Sequence, residues 1–116
     1  MQKSRENDRA RLQHMLDNAR LACQFAEGKT REDLETDDQL RLALDRAVEI
    51  VGEAASHVTD ELQGETPEIP WSDIKGIRVI VAHKYYEIDN DILWETVNDY
   101  LPPLIGQLEA ILGTVE

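Results

Sequence analysis

The chain has 116 residues and a formal net charge of −12, which suits one domain with one modest core and leaves too little chain for two. A charge of that sign argues against broad electrostatic binding to DNA, RNA or an anionic membrane. The single cysteine, Cys23, excludes an internal disulfide framework and is typical of a reducing cytoplasm. No apolar run approaches the roughly 20 residues of a membrane span. We therefore expect residues 1–116 to form one cytoplasmic domain.

The charge is distributed unevenly along the chain. Residues 1–31 hold seven basic and four acidic side chains, whereas residues 32–73 hold two basic and thirteen acidic ones. The acidic middle segment is either an ordinary solvated surface or a face that meets a basic partner.

Helical periodicity dominates the first half of the chain. Apolar residues follow the i, i+3, i+4 rule from Leu12 to Ala26, and Gly28 is a natural stop after this first helix. The second helix opens with a capping box at residues 36–39, and its apolar stripe runs on to Leu62 before Gly64 ends it. Gly52 lies inside that stripe and costs roughly 1 kcal/mol against alanine. This glycine is tolerable if another backbone packs closely against it.

The second half is predicted to add two further helices. Pro70 is well placed to start a buried helix that runs from Trp71 to about Tyr85. The β-branched run at residues 79–82 also fits a strand, but no partner strand is recognisable, so we favour the helix. A polar break at residues 87–91 precedes the last helix, where Pro102 and Pro103 predict a kink or a restart near residue 101. The fold class is accordingly all-α, a bundle of about four helices.

Most of the residues able to do chemistry have simple structural explanations. His14 is expected at the surface and His57 in a structural position, while Cys23 fits the apolar stripe of the first helix. Trp71 and Trp94 are expected to anchor the core, with each indole N–H finding a partner.

The exception is the segment in which Arg78 and His83 flank an apolar run. A buried guanidinium costs several kcal/mol unless it is paired, so its position needs an explanation. One explanation is a salt bridge to a bundle carboxylate beside a satisfied core histidine. The other is phosphodiester chemistry, in which the histidine moves a proton and the arginine holds a phosphate. On a continuous helix the two side chains stand about 140° apart, so they converge only if the helix ends near His83 or a second copy of the chain contributes.

These residues resemble the signature of the HEPN superfamily, in its branch of HepT-like toxins from type VII toxin–antitoxin systems. That signature is Arg, four residues, His, one residue, Tyr, and here it is Arg78, His83 and Tyr85. Flanking pieces match in order, from Val48-Glu49-Ile50-Val51-Gly52-Glu53-Ala54-Ala55 to Leu101-Pro102.

The resemblance implies a four-helix bundle, a homodimer, and metal-independent RNA cleavage at the dimer cleft with no cofactor. Carried over to this chain, His83 is the general acid/base and Arg78 orients the scissile phosphate. The resemblance also implies a cognate minimal nucleotidyltransferase antitoxin that transfers AMP from ATP to Tyr85. The sequence leaves open whether the neighbouring Tyr86 competes as acceptor. The bulky, anionic AMP then obstructs the cleft and repels phosphate.

One departure from the family keeps other functions open. HEPN nucleases commonly carry a polar residue after the arginine, often Asn, where this chain has Val79. An alternative is therefore a catalytically weak or inactive module that binds a nucleotidyltransferase, as its antitoxin or substrate-binding subunit. A third is a structural adaptor in which Arg78 is salt-bridged within the bundle.

Overall fold

A computed structural model describes residues 4–77, 82–84 and 87–114, with the backbone alone at 82–84, 87, 88 and 114. This part of the chain is mainly helical, which confirms the predicted all-α bundle. Its helices are α1 (Arg5–Ala26), α2 (Asp33–Thr36), α3 (Asp38–Ser56), α4 (Asp60–Glu65), α5 (Trp71–Lys75), α6 (Asn90–Glu95) and α7 (Leu101–Thr114). A π-helical turn, Thr96–Tyr100, joins α6 to α7, and strands β1 (Ala82–Lys84) and β2 (Glu87–Ile88) form one antiparallel pair.

The two longest helices of the first half form the centre of the bundle. Helix α1 packs most extensively against α3 and then against α7. Asp8 near the start of α1 hydrogen-bonds Thr59 just beyond the end of α3, so the two helices run antiparallel. The predicted stripes supply the core, with Leu12, Met15, Leu44 and Val51 fully buried. Within the described residues, no helix is long and apolar enough to span a membrane.

The N-cap of helix α3 lies one residue later in the chain than predicted. The N-cap is Asp37, whose carboxylate accepts the backbone N–H of Leu40 at 3.0 Å. Thr36 instead ends the short helix α2. An aspartate and a threonine are both good caps, so sequence preference alone does not choose between neighbouring positions.

The prediction of one helix up to Gly64 is wrong, because α3 ends at Ser56 and a new helix starts at Asp60. The break is stabilised by Asp8, which is 5% exposed and accepts both the N–H and the hydroxyl of Thr59, at 3.0 and 2.6 Å. The Thr59 hydroxyl oxygen in turn accepts the N–H of Leu62 at 3.3 Å and caps α4. A contact between residues 51 positions apart thus interrupts a helix whose local pattern is continuous.

The predicted helix from Trp71 to about Tyr85 is also wrong in its second half. Helix α5 ends at Lys75, and Ala82–Lys84 is extended. Strand β1 pairs with β2, which lies in the segment predicted to be a polar break. Ala82 lies opposite Ile88 and Lys84 opposite Glu87, with an irregular register between the two pairs. A two-residue partner strand has too little sequence pattern to be recognised.

The predicted irregularity at Pro102-Pro103 takes the form of the π-helical turn that precedes them. Proline lacks an N–H, and its ring collides with the carbonyl four residues earlier. Those carbonyls belong to Asn98 and Asp99, which lie inside the wider turn Thr96–Tyr100. The extra residue in this turn separates the proline rings from the carbonyls, and α7 then continues as a regular helix.

Candidate active site

Gly52 sets the position of helix α5. A Cβ atom at Gly52 would lie 3.0 Å from the carbonyl oxygen of Ile74 and 4.0 Å from the Cβ of Ile77. The backbone of α5 therefore packs directly on this face of α3, as the presence of a glycine inside the apolar stripe predicted. Ile77, at the end of this contact, immediately precedes the predicted catalytic Arg78.

The other end of α5 is fixed by Trp71. Its side chain is 6% exposed, and its indole Nε1 donates to the Thr66 hydroxyl oxygen at 3.1 Å. That hydroxyl donates to the carbonyl oxygen of Leu62 at 2.9 Å. For Trp71 the prediction of a core anchor with a satisfied indole is confirmed, and α5 is held at both ends.

The predicted site residues lie just beyond this helix. Arg78, Val79, Tyr85 and Tyr86 fall outside the described residues. His83 is the middle residue of β1, where its backbone is described. Convergence of Arg78, His83 and Tyr85 on one site therefore stays a prediction.

A cleft of about 340 Å³ lies between α5 and the region of α6 and the π-helical turn. Ile77 and Ile92 line it together with three carboxylates, Asp73, Glu95 and Asp99. We call it the acidic cleft. The described residues that line it include no basic side chain, and their three carboxylates favour a cation over a phosphate.

Tyr100 spans the acidic cleft, and sequence reasoning did not single it out. Its hydroxyl donates to Oδ2 of Asp73 at 3.1 Å. Partial burial, the hydrogen bond and the nearby negative charge of Asp73 raise the pKa of Tyr100 to about 12. Nothing in the sequence pairs residues 73 and 100, because the contact depends on how α5 packs beside the π-helical turn.

A pair of carboxyl groups, Asp45 and Glu49, lies one turn apart on α3. Asp45 is partly buried, and its desolvation together with the neighbouring Glu49 raises its pKa to about 7, against the opposing charge of Arg46. With Gly52 these residues follow the i, i+4, i+7 spacing of one helix face. Asp45 and Glu49 therefore lie on the face of α3 that carries the contact with α5.

Cys23 occupies a structural position. It packs partly buried against the core, and burial raises the pKa of its thiol. No group of three His, Cys, Asp or Glu side chains in the described ranges could hold a metal ion.

Comparison with known proteins defines the class to which this fold and sequence belong. The family model described as "Ribonuclease HepT-like" matches residues 15–111. The chain therefore belongs to the HepT-like ribonuclease family, and the resemblance to the HEPN superfamily is confirmed.

Individual relatives cover most of the chain. It is 32% identical over 101 residues to "Putative RNase TTE0752" of Caldanaerobacter subterraneus subsp. tengcongensis, covering 87% of this chain and 90% of the relative. It is 35% identical over 80 residues to "Probable ribonuclease HepT" of Thermococcus cleftensis, covering 69% and 73%. "Putative RNase MJ1380" of Methanocaldococcus jannaschii is 29% identical over 108 residues, covering 93% and 99%. No solved structure matches the chain significantly.

Proposed function

We propose that this protein is the toxin of a toxin–antitoxin pair, a homodimeric and metal-independent ribonuclease that is silenced by AMPylation. The observation that carries the proposal is the Arg78, His83 and Tyr85 signature in a chain that belongs to the HepT-like ribonuclease family. The relatives from Caldanaerobacter and Thermococcus, named as ribonucleases, support the same activity.

His83 is proposed as the general acid/base and Arg78 as the phosphate-binding group. A histidine transfers protons near neutral pH, here from the ribose 2′-hydroxyl or to the leaving oxygen. Arg78 stabilises the negative charge that develops on the phosphate oxygens. The extended backbone at Ala82–Lys84 supports this pairing, because the roughly 140° separation expected on a continuous helix no longer applies.

The proposal includes a homodimer. A single copy supplies only one arginine and one histidine, and a second copy doubles the number of these groups in the cleft. Two copies related by a twofold axis would place two such pairs in one cleft. Local concentration of Arg78, and of Lys84 from both copies, reconciles RNA cleavage with a chain of net charge −12.

Tyr85 is proposed as the hydroxyl that accepts AMP from the ATP used by a nucleotidyltransferase antitoxin. The chain has three tyrosines, and Tyr100 is poorly suited to this role. Its hydroxyl is engaged with Asp73, and its pKa is raised to about 12. A hydroxyl that resists deprotonation is a weak nucleophile, so Tyr85 is favoured over Tyr100 as the acceptor.

The ribonuclease proposal is tested by RNA cleavage in EDTA with three single histidine variants. We expect His83→Ala to lose roughly 100-fold or more of the activity, the usual range for a general acid/base. His14→Ala and His57→Ala are matched controls, because they remove the other two histidines of the chain and are expected to retain the cleavage rate at saturating RNA. Equal cleavage by His83→Ala and the wild type would exclude His83 as the catalyst.

The AMPylation proposal is tested by intact mass after incubation with the neighbouring nucleotidyltransferase and ATP. The wild type is expected to gain the mass of AMP, and Tyr85→Phe is expected to gain none. Tyr100→Phe is the control and should be modified like the wild type. Modification of Tyr85→Phe to the same extent would move the acceptor elsewhere, and the absence of any gain in the wild type would remove AMPylation from the proposal.

A binding module without nuclease activity is the second candidate, and the acidic cleft favours it. Asp73, Glu95 and Asp99 suit a basic partner surface better than RNA. Expression in a host separates the two candidates. Growth arrest that disappears in His83→Ala supports the toxin, whereas harmless expression together with stable binding of the nucleotidyltransferase supports the module.

A further inference from the structure

A second cleft, of about 430 Å³, lies between α1 and α3 and differs from the acidic cleft in its charge. Arg11 and His14 of α1 line it with Arg46 of α3 and His57, the residue that follows α3. Glu53 is the one carboxylate among the described residues that line it. We call it the basic cleft.

The basic cleft lies on the flank of α3 away from α5. Ile50 lines the cleft, whereas Gly52 contacts α5. Two residues along a helix correspond to a rotation of roughly 200°. The helix therefore separates the basic cleft from the packing that precedes Arg78.

Two arginines of this cleft differ in their partners from four other arginines of the chain. Arg5, Arg20, Arg31 and Arg41 each approach a carboxylate within 3.1 Å. Arg46 is 67% exposed and reaches Glu49 at 4.0 Å, beyond hydrogen-bonding distance. Arg11 is half-buried, and its Nε is a buried donor with no acceptor among the described residues. A charged donor in that position gains from an acceptor that arrives with a ligand.

We propose that the basic cleft binds phosphate groups of RNA and thereby holds the substrate at a site separate from the residues that cleave it. This inference rests on the proposed ribonuclease function. The guanidinium groups of Arg11 and Arg46 would each contact a phosphate, since their planar forks match its oxygens. The imidazoles of His14 and His57 add hydrogen-bond donors at the same cleft.

The charge pattern of the chain favours RNA phosphates here over the acidic cleft. Because the protein as a whole is strongly negative, RNA would be held where cations cluster and carboxylates are few. With one carboxylate against two arginines, the lining of the basic cleft is positive even before the histidines are counted. The segment 1–31, which supplies Arg11 and His14, is also the basic part of the sequence.

The test is binding of a fluorescent, fully 2′-O-methylated single-stranded RNA, which lacks the hydroxyl needed for cleavage. Anisotropy is measured across a range of salt concentrations for the wild type and for the double variant Arg11→Gln/Arg46→Gln. We expect the double variant to bind at least about tenfold more weakly at low salt. The plot of log K against log salt has a negative slope, and its magnitude should decrease by about 1.4. This is about 0.7 for each single-strand phosphate that an arginine no longer neutralises. Glu53→Gln should shift the affinity in the opposite direction.

The matched control is Arg20→Gln/Arg41→Gln, which changes the net charge by the same amount but removes arginines paired with Glu109 and Asp38. It should bind within about twofold of the wild type. Equal losses of affinity in the two double variants, or no measurable binding by the wild type, would overturn the proposal. Arg46→Gln alone keeps the test valid if loss of Arg11 impairs folding, because the Arg46 side chain is largely exposed.

This experiment separates the binding site from the proposed ribonuclease. If the wild type does not cleave RNA but binding depends on Arg11 and Arg46, the ribonuclease is overturned and the phosphate site stands. If the wild type cleaves RNA in a His83-dependent manner but both double variants bind alike, the phosphate site is overturned and the ribonuclease stands.

Discussion

The acidic and basic clefts have similar volumes, about 340 and 430 Å³, and opposite electrostatic character. Three carboxylates line the first, while two arginines and two histidines line the second. The net charge of −12 describes neither of them. A total charge predicts long-range behaviour, whereas binding depends on which charges the fold brings together.

The two clefts also differ in how the surrounding backbone is built. The basic cleft lies between the two longest helices of the first half, α1 and α3. The acidic cleft is bounded by the five-residue helix α5, the six-residue helix α6 and the π-helical turn. Short elements depend on specific contacts with their neighbours, so we expect substitutions near the acidic cleft to move its lining more readily.

The largest expected effect on stability is that of Asp8, which joins α1, one wall of the basic cleft, to the start of α4. Asp8→Ala leaves the N–H and hydroxyl of Thr59 without their shared acceptor in a buried position. We expect the free energy of unfolding to fall by about 2 to 3 kcal/mol, measured by urea denaturation. Asp17→Ala is the control, since its exposed side chain only accepts a hydrogen bond from Gln13. Equal losses of stability in the two variants would contradict the role assigned to Asp8.

Gly52→Ala is expected to have the next largest effect on stability. It acts through α5, which lines the acidic cleft. The added methyl group would lie 3.0 Å from the carbonyl oxygen of Ile74, so α5 must shift. Overpacking costs about 1 to 3 kcal/mol and alanine returns roughly 1 kcal/mol of helix propensity. The net decrease in the free energy of unfolding, measured in urea, should be up to about 2 kcal/mol.

Gly106→Ala is the matched control for that substitution. Gly106 lies within α7, and no described residue has an atom within 4 Å of a Cβ placed there. It should stabilise the protein by about 0.5 to 1 kcal/mol through helix propensity alone. Stabilisation by Gly52→Ala as well would show that α5 does not require a glycine beneath it.

Asp45→Asn is expected to produce a smaller, pH-dependent gain. The folded pKa of Asp45 is raised from an ordinary value near 3.8 to about 7. The stabilising contribution of its protonated form is fully present below about 3.8 and is lost as the pH rises through about 7. Asn should therefore raise the melting temperature at about pH 8 and have little effect near about pH 4. We expect a gain below about 1 kcal/mol, since the carboxyl is only partly buried.

A melting temperature that falls at about pH 8 in Asp45→Asn would contradict this account of the carboxyl pair. Asp17→Asn, which alters an exposed carboxylate of α1, is the control. It should show no comparable difference between the two pH values.

Tyr100→Phe should have the smallest effect on stability, because the hydrogen bond to Asp73 is exposed. We expect a loss of at most about 0.5 to 1 kcal/mol near neutral pH. Since the pKa of Tyr100 is raised to about 12, against about 10 in an unfolded chain, its contribution is complete below about pH 10. It is lost as the pH rises through about 12. Ultraviolet titration should show that the variant lacks the tyrosine that ionises near pH 12 in the wild type, and persistence of that transition would contradict the assignment.

Local pattern was sufficient to predict the two central helices and one feature of their packing. Leu12 belongs to the apolar stripe of α1, and Leu44 and Val51 belong to that of α3. Each is buried as expected. Gly52 was identifiable because a glycine inside an apolar stripe costs stability unless a backbone lies close to it. The contact with Ile74 provides that reason.

Features that depend on residues far apart in the sequence escaped prediction. The break after Ser56 depends on Asp8, and the strand Ala82–Lys84 depends on a partner of two residues. The basic cleft brings His14 beside His57, and no spacing along either helix connects them.

By itself the sequence determined the helical class, the buried stripes and the Arg78, His83 and Tyr85 signature, because these are recorded in local periodicity and residue identity. Only the tertiary structure decided where α3 ends, which strand pairs with the segment of His83 and how a chain of charge −12 separates into one acidic and one basic cleft. The physical reason is that helix ends, strand pairing and electrostatic potential depend on distances between side chains, and packing sets those distances.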